Sequence, residues 1–319
     1  MSGRSTGPPS GAAGTAHSGQ PGSGSLDEIG WSHVTGSFRA LNFTFSFRTN
    51  EPELGRLLEH LYAPCSDDGQ PDVIYSVIND PTGEGAAEIC VGDRRSTDRH
   101  EPSEILNFLT WHINREVITR SGAFLLLHAA AAVSDGVAVL LPGVAEAGKT
   151  TLVTGLIRSG FDYLTDEAAA VRPSDLVVEP YPKPLTIDPG SWAALPDLAP
   201  DLDDALADLF VSRWYVNPQR IRADAIAQPA APALVVFPTY AARATTSVQP
   251  VAGTDALVLL MQQTFGFNDA ASRNLQVLGR LVQQASCYRL VSGDLEAACA
   301  AVQELAAGVT TNSDEGPPG

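Results

Sequence analysis

Residues 125–171 read LLLHAAAAVSDGVAVLLPGVAEAGKTTLVTGLIRSGFDYLTDEAAAV, and this stretch decides the fold. Phe124 to Val133 is an unbroken apolar run, the pattern of a strand buried on both faces. Asp135-Gly136 is a strong hairpin signal, and Val137 to Leu141 is a second buried strand that Pro142 and Gly143 end. Gly143-Val144-Ala145-Glu146-Ala147-Gly148-Lys149-Thr150 follows, with Thr151 after it. It matches G-x-x-x-x-G-K-[ST], the phosphate loop known as Walker A. Glycines let the backbone curl so that its amides face inward, and the N-terminus of the next helix adds partial positive charge. A lysine there reaches the β- and γ-phosphates, and the Thr150 hydroxyl can hold Mg²⁺. Thr150 to Ser159 has the composition of that helix, with Gly160 at its C-terminal cap. Apolar Ala168 to Val171 is a further strand. The spacing therefore predicts an α/β fold with a nucleotide-binding P-loop between strand and helix.

Composition agrees. The chain has 319 residues, 44% hydrophobic and 18% charged, with a formal net charge of −17. That is room for a large core, and the acidic balance argues against nucleic acid or an anionic membrane as partner. Cys65, Cys90, Cys287 and Cys299 are too widely spaced for a metal site or a disulfide framework. They read as reduced packing thiols of a cytoplasmic protein. No run is long enough for a membrane span. Only two lysines occur, Lys149 and Lys183, against eighteen arginines, so the lysine in the loop stands out.

Outward from the loop, residues 1–25 and 310–319 are small and polar and are expected to be disordered. Residues 26–102 read as an N-terminal α+β region and 103–309 as the P-loop domain. Phe38 to Arg48 reads as a strand, and Asn50 as the cap of a helix with Glu53 in a capping box. Asp72 to Asn79 and Ala87 to Gly92 read as strands, and Ser103 to Arg120 as an amphipathic helix. Downstream, Asp203 to Leu209, Thr254 to Thr264, Ala270 to Ala285 and Asp294 to Ala307 read as helices. Ala233 to Phe237 and Tyr288 to Val291 read as strands.

Asp166-Glu167 lies just beyond the P-loop helix. Phosphoryl transfer needs an acid to hold Mg²⁺ and a carboxylate to take the acceptor proton, and two neighbouring acids could divide those roles. A solvated turn is the plainer reading of the same pair. His128, inside the apolar run, reads on chemistry alone as a core histidine bonded to backbone.

The quoted stretch resembles the C-terminal domain of HPr kinase/phosphorylase, and more closely the HPr-kinase-related serine kinases found beside peptide-modifying gene clusters. Tyr181-Pro-Lys-Pro184, Trp111, Asn114 and Arg115 share in the resemblance, which covers roughly Trp111 to Asp188. It implies a carboxykinase-like P-loop core with ATP and Mg²⁺ as cofactors. It places His128 at an active-site histidine, Lys149 and Thr150 at the phosphate and metal positions, and Asp166-Glu167 at an Asp-Asp pair. The second acid of that pair is the catalytic base, here a longer Glu. A third metal acid is left between Glu179 and Asp188, and an active-site arginine between Arg213 and Arg243. No phosphorylase segment is recognisable. The implied reaction is phosphorylation of a Ser or Thr hydroxyl on a protein or peptide, with a homo-oligomer as one form of assembly. A small-molecule kinase on the same site and a nucleotide-sensing or peptide-binding subunit are the alternatives.

Overall fold

The computed structural model describes residues 26–79, 86–201 and 204–314. Residues 1–25 and 315–319, which composition reads as tails, lie outside the described residues. Leu26–Glu28 forms a short 3-10 turn. The described residues from Trp31 onward form one compact unit with two large sheets and a two-stranded ribbon.

The first sheet contains β1 (His33–Val34), β2 (Ser37–Ala40), β3 (Phe43–Thr49), β4 (Ser66–Asp67), β5 (Val73–Ile78), β6 (Ala87–Val91) and β7 (Arg94–His100), in the order β4-β2-β3-β5-β6-β7 with β1 on β3. Phe38 to Arg48 is therefore not one strand. Leu41 turns the chain with φ 51°, and β2 and β3 pair antiparallel as a hairpin. α1 (Pro52–Tyr62) crosses over to give the parallel β3–β5 pair. The expected Asn50 cap is corrected too. Asn50 bonds both backbone groups of Asn79 at 2.8 Å, tying β3 to the end of β5. α1 starts instead at Pro52, whose fixed φ and missing N–H suit the first helical position. A capping box does occur, one helix later, between Glu101 and Glu104 at the start of α2 (Pro102–Arg120). α2 sends Ile105, Leu109 and Ile113 into the same core as Phe43, Phe45 and Phe47.

The second sheet positions the site. Its strands are β8 (Leu125–Ser134), β9 (Val137–Pro142), β10 (Asp162–Thr165), β11 (Ala168–Val171), β12 (Val178–Glu179), β15 (Ala231–Tyr240), β16 (Ser247–Pro250) and β17 (Ser286–Ser292). A separate two-stranded ribbon pairs β13 (Leu185–Ile187) with β14 (Trp214–Val216). The main order is β12-β11-β8-β9-β15-β17-β16, with β10 also on β8. Asp135 and Gly136 both have positive φ, 49° and 77°, as a tight β8–β9 hairpin demands. β9, β15 and β17 run parallel.

Helices cover both faces. They are α3 (Lys149–Arg158), α6 (Gly253–Gln262), α7 (Ala271–Gln284) and α8 (Leu295–Asp314), besides two single-turn helices, α4 (Pro189–Trp192) and α5 (Asp204–Ala207). The pleat sorts β8 by parity. Leu125, Leu127, Ala129 and Ala131 pack with α6 and α7, whereas Ala130 and Ala132 pack with α3 and α8. α3 ends as its sequence demands: Gly160 adopts φ 99° and Phe161 N–H returns to Leu156 O at 3.0 Å. α8 continues to Asp314, five residues into the stretch read as a tail. Among the described residues no helix is long and apolar enough to cross a membrane, and all four cysteines are free and buried.

Candidate functional site

β8 is the hub. Its register sets Ala168 opposite His128 and Thr165 opposite Ala131. The bend Asp166-Glu167 therefore sits between β10 and β11, directly across from Ala129 and Ala130. On the other edge, Gly143 N–H donates to His128 O at 3.3 Å. One strand thus brings together the loop, the histidine and the acid pair that lie apart in sequence. His128 has the parity of Ala130 and Ala132, which puts it on the face that α3 covers.

The loop 143–148 leads into α3. Gly148 has φ 88° and Glu146 φ 64°, left-handed conformations that alternate with ordinary ones and curl the backbone. A Cβ at Gly143 would stand 3.1 Å from Ala147 Cβ, so the curl is too tight for a side chain there. The first α-helical bond is Leu152 N–H to Gly148 O at 2.9 Å. The amides of Lys149, Thr150 and Thr151 thus lie in the first turn, where a helix leaves its N–H groups without intrahelical partners. Val144, Ala145 and Glu146 are exposed, and the acid inside the loop lines the mouth of the adjoining cleft.

Lys149 is 7% exposed. Its Nζ donates to Gly143 O at 2.7 Å and Val144 O at 2.9 Å. An ammonium has three N–H donors, so two fix it to the loop and one remains for an anion. Burial holds the ammonium below its ordinary pKa, with Glu167 and Asp166 pulling the other way.

Asp166 is buried and saturated. Oδ1 accepts from Tyr163 OH at 2.9 Å and pairs with Lys183 Nζ at 2.7 Å. Oδ2 accepts from Thr186 N–H at 3.2 Å and Thr150 Oγ1 at 3.3 Å. Lys183 also donates to Pro184 O and Thr186 Oγ1. Both lysines of the chain therefore converge here, and Lys183 is the site residue that motif reading missed. Its scarcity was the available signal. Tyr181 of the same segment bonds Asn114 on α2.

Glu167 is partly buried. Burial raises its carboxyl above the ordinary range; Asp166 adds to this, and Lys183, Lys149 and Arg213 oppose it. His128 is pushed down to about 4, by burial first and then by the Lys149 charge, against a bond to Gln263. It is neutral near pH 7, so it can donate or accept but adds no charge.

A cleft of about 660 Å³ opens at the C-terminal ends of β9, β15 and β17, lined by the loop, the first turn of α3, Asp188, Arg213 and Tyr240 among others. Ligands of open α/β sheets bind at such strand ends. Arg213 donates through Nε to Asp188 Oδ1 at 2.6 Å and through Nη1 to Asn107 at 3.0 Å. Glu179 is instead paired with Arg172 at the sheet edge. Arg243, at φ 64°, lies exposed in the turn after β15.

The donor set fits a polyphosphate chain with Mg²⁺. Among the described residues no three His, Cys, Asp or Glu side chains form a metal cluster. Mg²⁺ on a phosphate chain asks only for one or two protein oxygens beside phosphate and water, and Thr150 Oγ1 offers one, since its proton goes to Asp166 Oδ2 and its lone pairs face the site's other side.

No family model and no curated protein matches this chain. Among solved structures it is similar to the HPr(Ser) kinase/phosphatase from Coxiella burnetii, with a TM-score of 0.29 and 11% identity over 59% of this chain and 98% of that one. At that TM-score the likeness is remote, and the functional reading rests on the residues themselves.

Proposed function

We propose that the chain is an ATP- and Mg²⁺-dependent kinase with a carboxykinase-like P-loop core, phosphorylating a Ser or Thr hydroxyl of a protein or peptide. The observation that carries it is the seating of Lys149. A buried ammonium bound to two loop carbonyls, at the mouth of a helix and beside a Thr–Asp pair, is a polyphosphate-binding arrangement. Mg²⁺, bound with the nucleotide, neutralises charge on the phosphate oxygens.

The residues then divide the work. Lys149 and the first-turn amides hold the β- and γ-phosphates. Asp166, fixed by Lys183, orients Thr150. Glu167, with its pKa raised, takes the proton from the acceptor hydroxyl as that oxygen bonds to the γ-phosphorus and the bond to the β-phosphate oxygen breaks. ADP leaves, and the proton later passes from Glu167 to solvent. Neutral His128 donates a hydrogen bond to phosphate oxygen, and Arg213 supplies charge from the other wall. Incubation with γ-labelled ATP and a degenerate Ser/Thr peptide library tests the reading. Label should transfer, and Lys149→Ala should abolish it. Transfer unchanged in Lys149→Ala removes the mechanism.

One observation favours a second reading, a nucleotide-binding subunit without transfer. Lys183 already neutralises Asp166, and both side chains are only 1% exposed. Tight nucleotide binding without turnover on any hydroxyl acceptor would select it.

A further inference from the structure

α2 borders the acid pair along one edge, and that edge is only partly covered. Ala168, the residue after Glu167, is buried in the same core as Ile105, Leu109 and Ile113 of α2, so the helix packs directly beside the acids. Two side chains tie this edge to the site. Asn107 Oδ1 accepts from Arg213 Nη1 at 3.0 Å and from Tyr215 OH at 2.6 Å. Asn114 Oδ1 accepts from Tyr181 OH. Tyr181 leads into Lys183, which holds Asp166, and Arg213 is close enough to favour the charged form of Glu167.

Trp111 stands between those two ties, one helical turn from each, so the three side chains share one side of α2. The ties are covered, yet Trp111 is 56% exposed, unusual for so large an aromatic. It is not loosely placed. The Arg115 guanidinium lies 5.6 Å from its ring centroid and the Phe108 ring 6.3 Å. Arg115 is itself exposed and has no carboxylate partner among the described residues; its neighbour Glu116 pairs with Arg120 instead. An unpaired cation stands out in a chain of net charge −17. Val211, 60% exposed, precedes Ser212, whose hydroxyl accepts from Asn107 Nδ2 at 3.4 Å. Trp111, Val211 and Arg115 thus form an apolar ledge with one free cation, beside the acids and outside the cleft that the phosphate loop lines.

We propose that this ledge docks the acceptor peptide, and that it selects a segment carrying a large apolar side chain and a carboxylate near the hydroxyl to be phosphorylated. The apolar side chain packs on the Trp111 ring, and the carboxylate pairs with Arg115. The inference rests on the kinase reading of the adjoining site and deepens it by naming the acceptor's chemistry. Charge complementarity argues for this occupant, because Arg115 offers a cation that nothing in the chain neutralises. Reach argues for it too. A peptide can present its hydroxyl to Glu167 while its neighbouring residues lie on a surface outside the cleft, which a small metabolite cannot. Tryptophan is also among the side chains that most often anchor such contacts.

A position-scanning library of Ser/Thr peptides tests this on the full chain with Mg²⁺ and ATP, read both by γ-label transfer and by fluorescence anisotropy of peptide binding. Wild type should favour Phe, Tyr, Leu or Met together with Asp or Glu near the hydroxyl. For the best such peptide, Trp111→Ala should raise KM about 10- to 30-fold, the usual range for truncating an aromatic anchor, with kcat and ATP affinity within a few-fold. Retained ATP affinity also shows that the variant is folded. Trp111→Phe should keep most of the peptide affinity. Arg115→Glu should weaken the acidic peptide and recover binding when Lys replaces the peptide's acid, a swap that a merely structural role would not produce. A library without side-chain preference, or an unchanged KM in Trp111→Ala, overturns the ledge while leaving the kinase reading intact. Peptides that bind through Trp111 without label transfer uphold the ledge and overturn the kinase reading. Neither binding nor transfer overturns both.

Discussion

Replacing Lys183 by Met keeps most of the side-chain volume and removes the charge. The ammonium has three polar partners: Asp166 Oδ1 at 2.7 Å, Pro184 O at 3.0 Å and Thr186 Oγ1 at 3.2 Å. Both ionic side chains are 1% exposed, so the pair is not a screened surface bridge. Removing one partner of such a pair costs about 3–5 kcal/mol, because the other charge stays buried without compensation. Asp166 would still accept from Tyr163, Thr150 and the Thr186 amide, which puts the expected loss near the lower end, about 3 kcal/mol. A second signature follows from the sign of the charge. A buried carboxylate without its cation is relieved by taking up a proton on folding, so the deficit should be largest at neutral pH and shrink in mild acid. Adding Asp166→Asn to Lys183→Met should recover part of the loss, since neither member of the pair then carries a charge. Urea denaturation of wild type, single and double variants at both pH values reads all three effects. A loss below about 1 kcal/mol, the range of an exposed pair, would refute the reasoning. So would a deficit that grows toward acid.

Glu167→Gln should lower phosphoryl transfer by about 100- to 10,000-fold, the usual worth of a general base, with nucleotide affinity within a few-fold; an equal fall in affinity would remove its assigned role. His128 should make the fold acid-sensitive. Its pKa lies near 4 in the folded chain, below the ordinary value of about 6.5, so the unfolded chain binds more protons between those limits and stability falls as pH drops through that window. Allowing for its partial solvent access, the loss is on the order of 1–2 kcal/mol, and thermal melts of His128→Gln should show a shallower acid slope. Gly155→Ala should act as a wedge between α3 and α8. Its new Cβ would meet Cys299 Sγ at 2.5 Å and Leu295 Cδ1 at 2.9 Å, so an overpacking cost of about 1–3 kcal/mol should outweigh the helix-propensity gain of about 1 kcal/mol. A higher melting temperature would contradict that packing.

What could be read directly from the sequence was local. The β8–β9 hairpin follows from Asp135-Gly136, the loop from its glycines and lysine, and the end of α3 from Gly160, because each depends on residues adjacent in the chain. The errors arose where distant groups compete for the same atoms. Asn50 has the chemistry of a helix cap, yet the end of β5 offers it two backbone bonds instead. The β2–β3 hairpin turns at Leu41, which gives no glycine signal for its positive φ. The α8 extension into polar residues 310–314 continues a helix already begun, and continuing costs far less than nucleating.

Lys183 stands out in the sequence by its rarity, whereas its place beside Asp166 follows only from the fold. A chain that uses arginine eighteen times keeps lysine twice, and both lysines are among its most buried charges. The structure gives the reason. A guanidinium is a broad planar fork with five donors, whereas the slot at Lys183 provides three acceptors around a single nitrogen. A compact ammonium satisfies them all. The loop at Lys149 likewise supplies two carbonyls around one nitrogen and leaves room for one more acceptor. Arginine would leave donors unpaired in either place, at a cost that buried polar groups do not escape. The rarity of lysine here thus marks the two positions where a point charge is required, and they flank the same pair of acids.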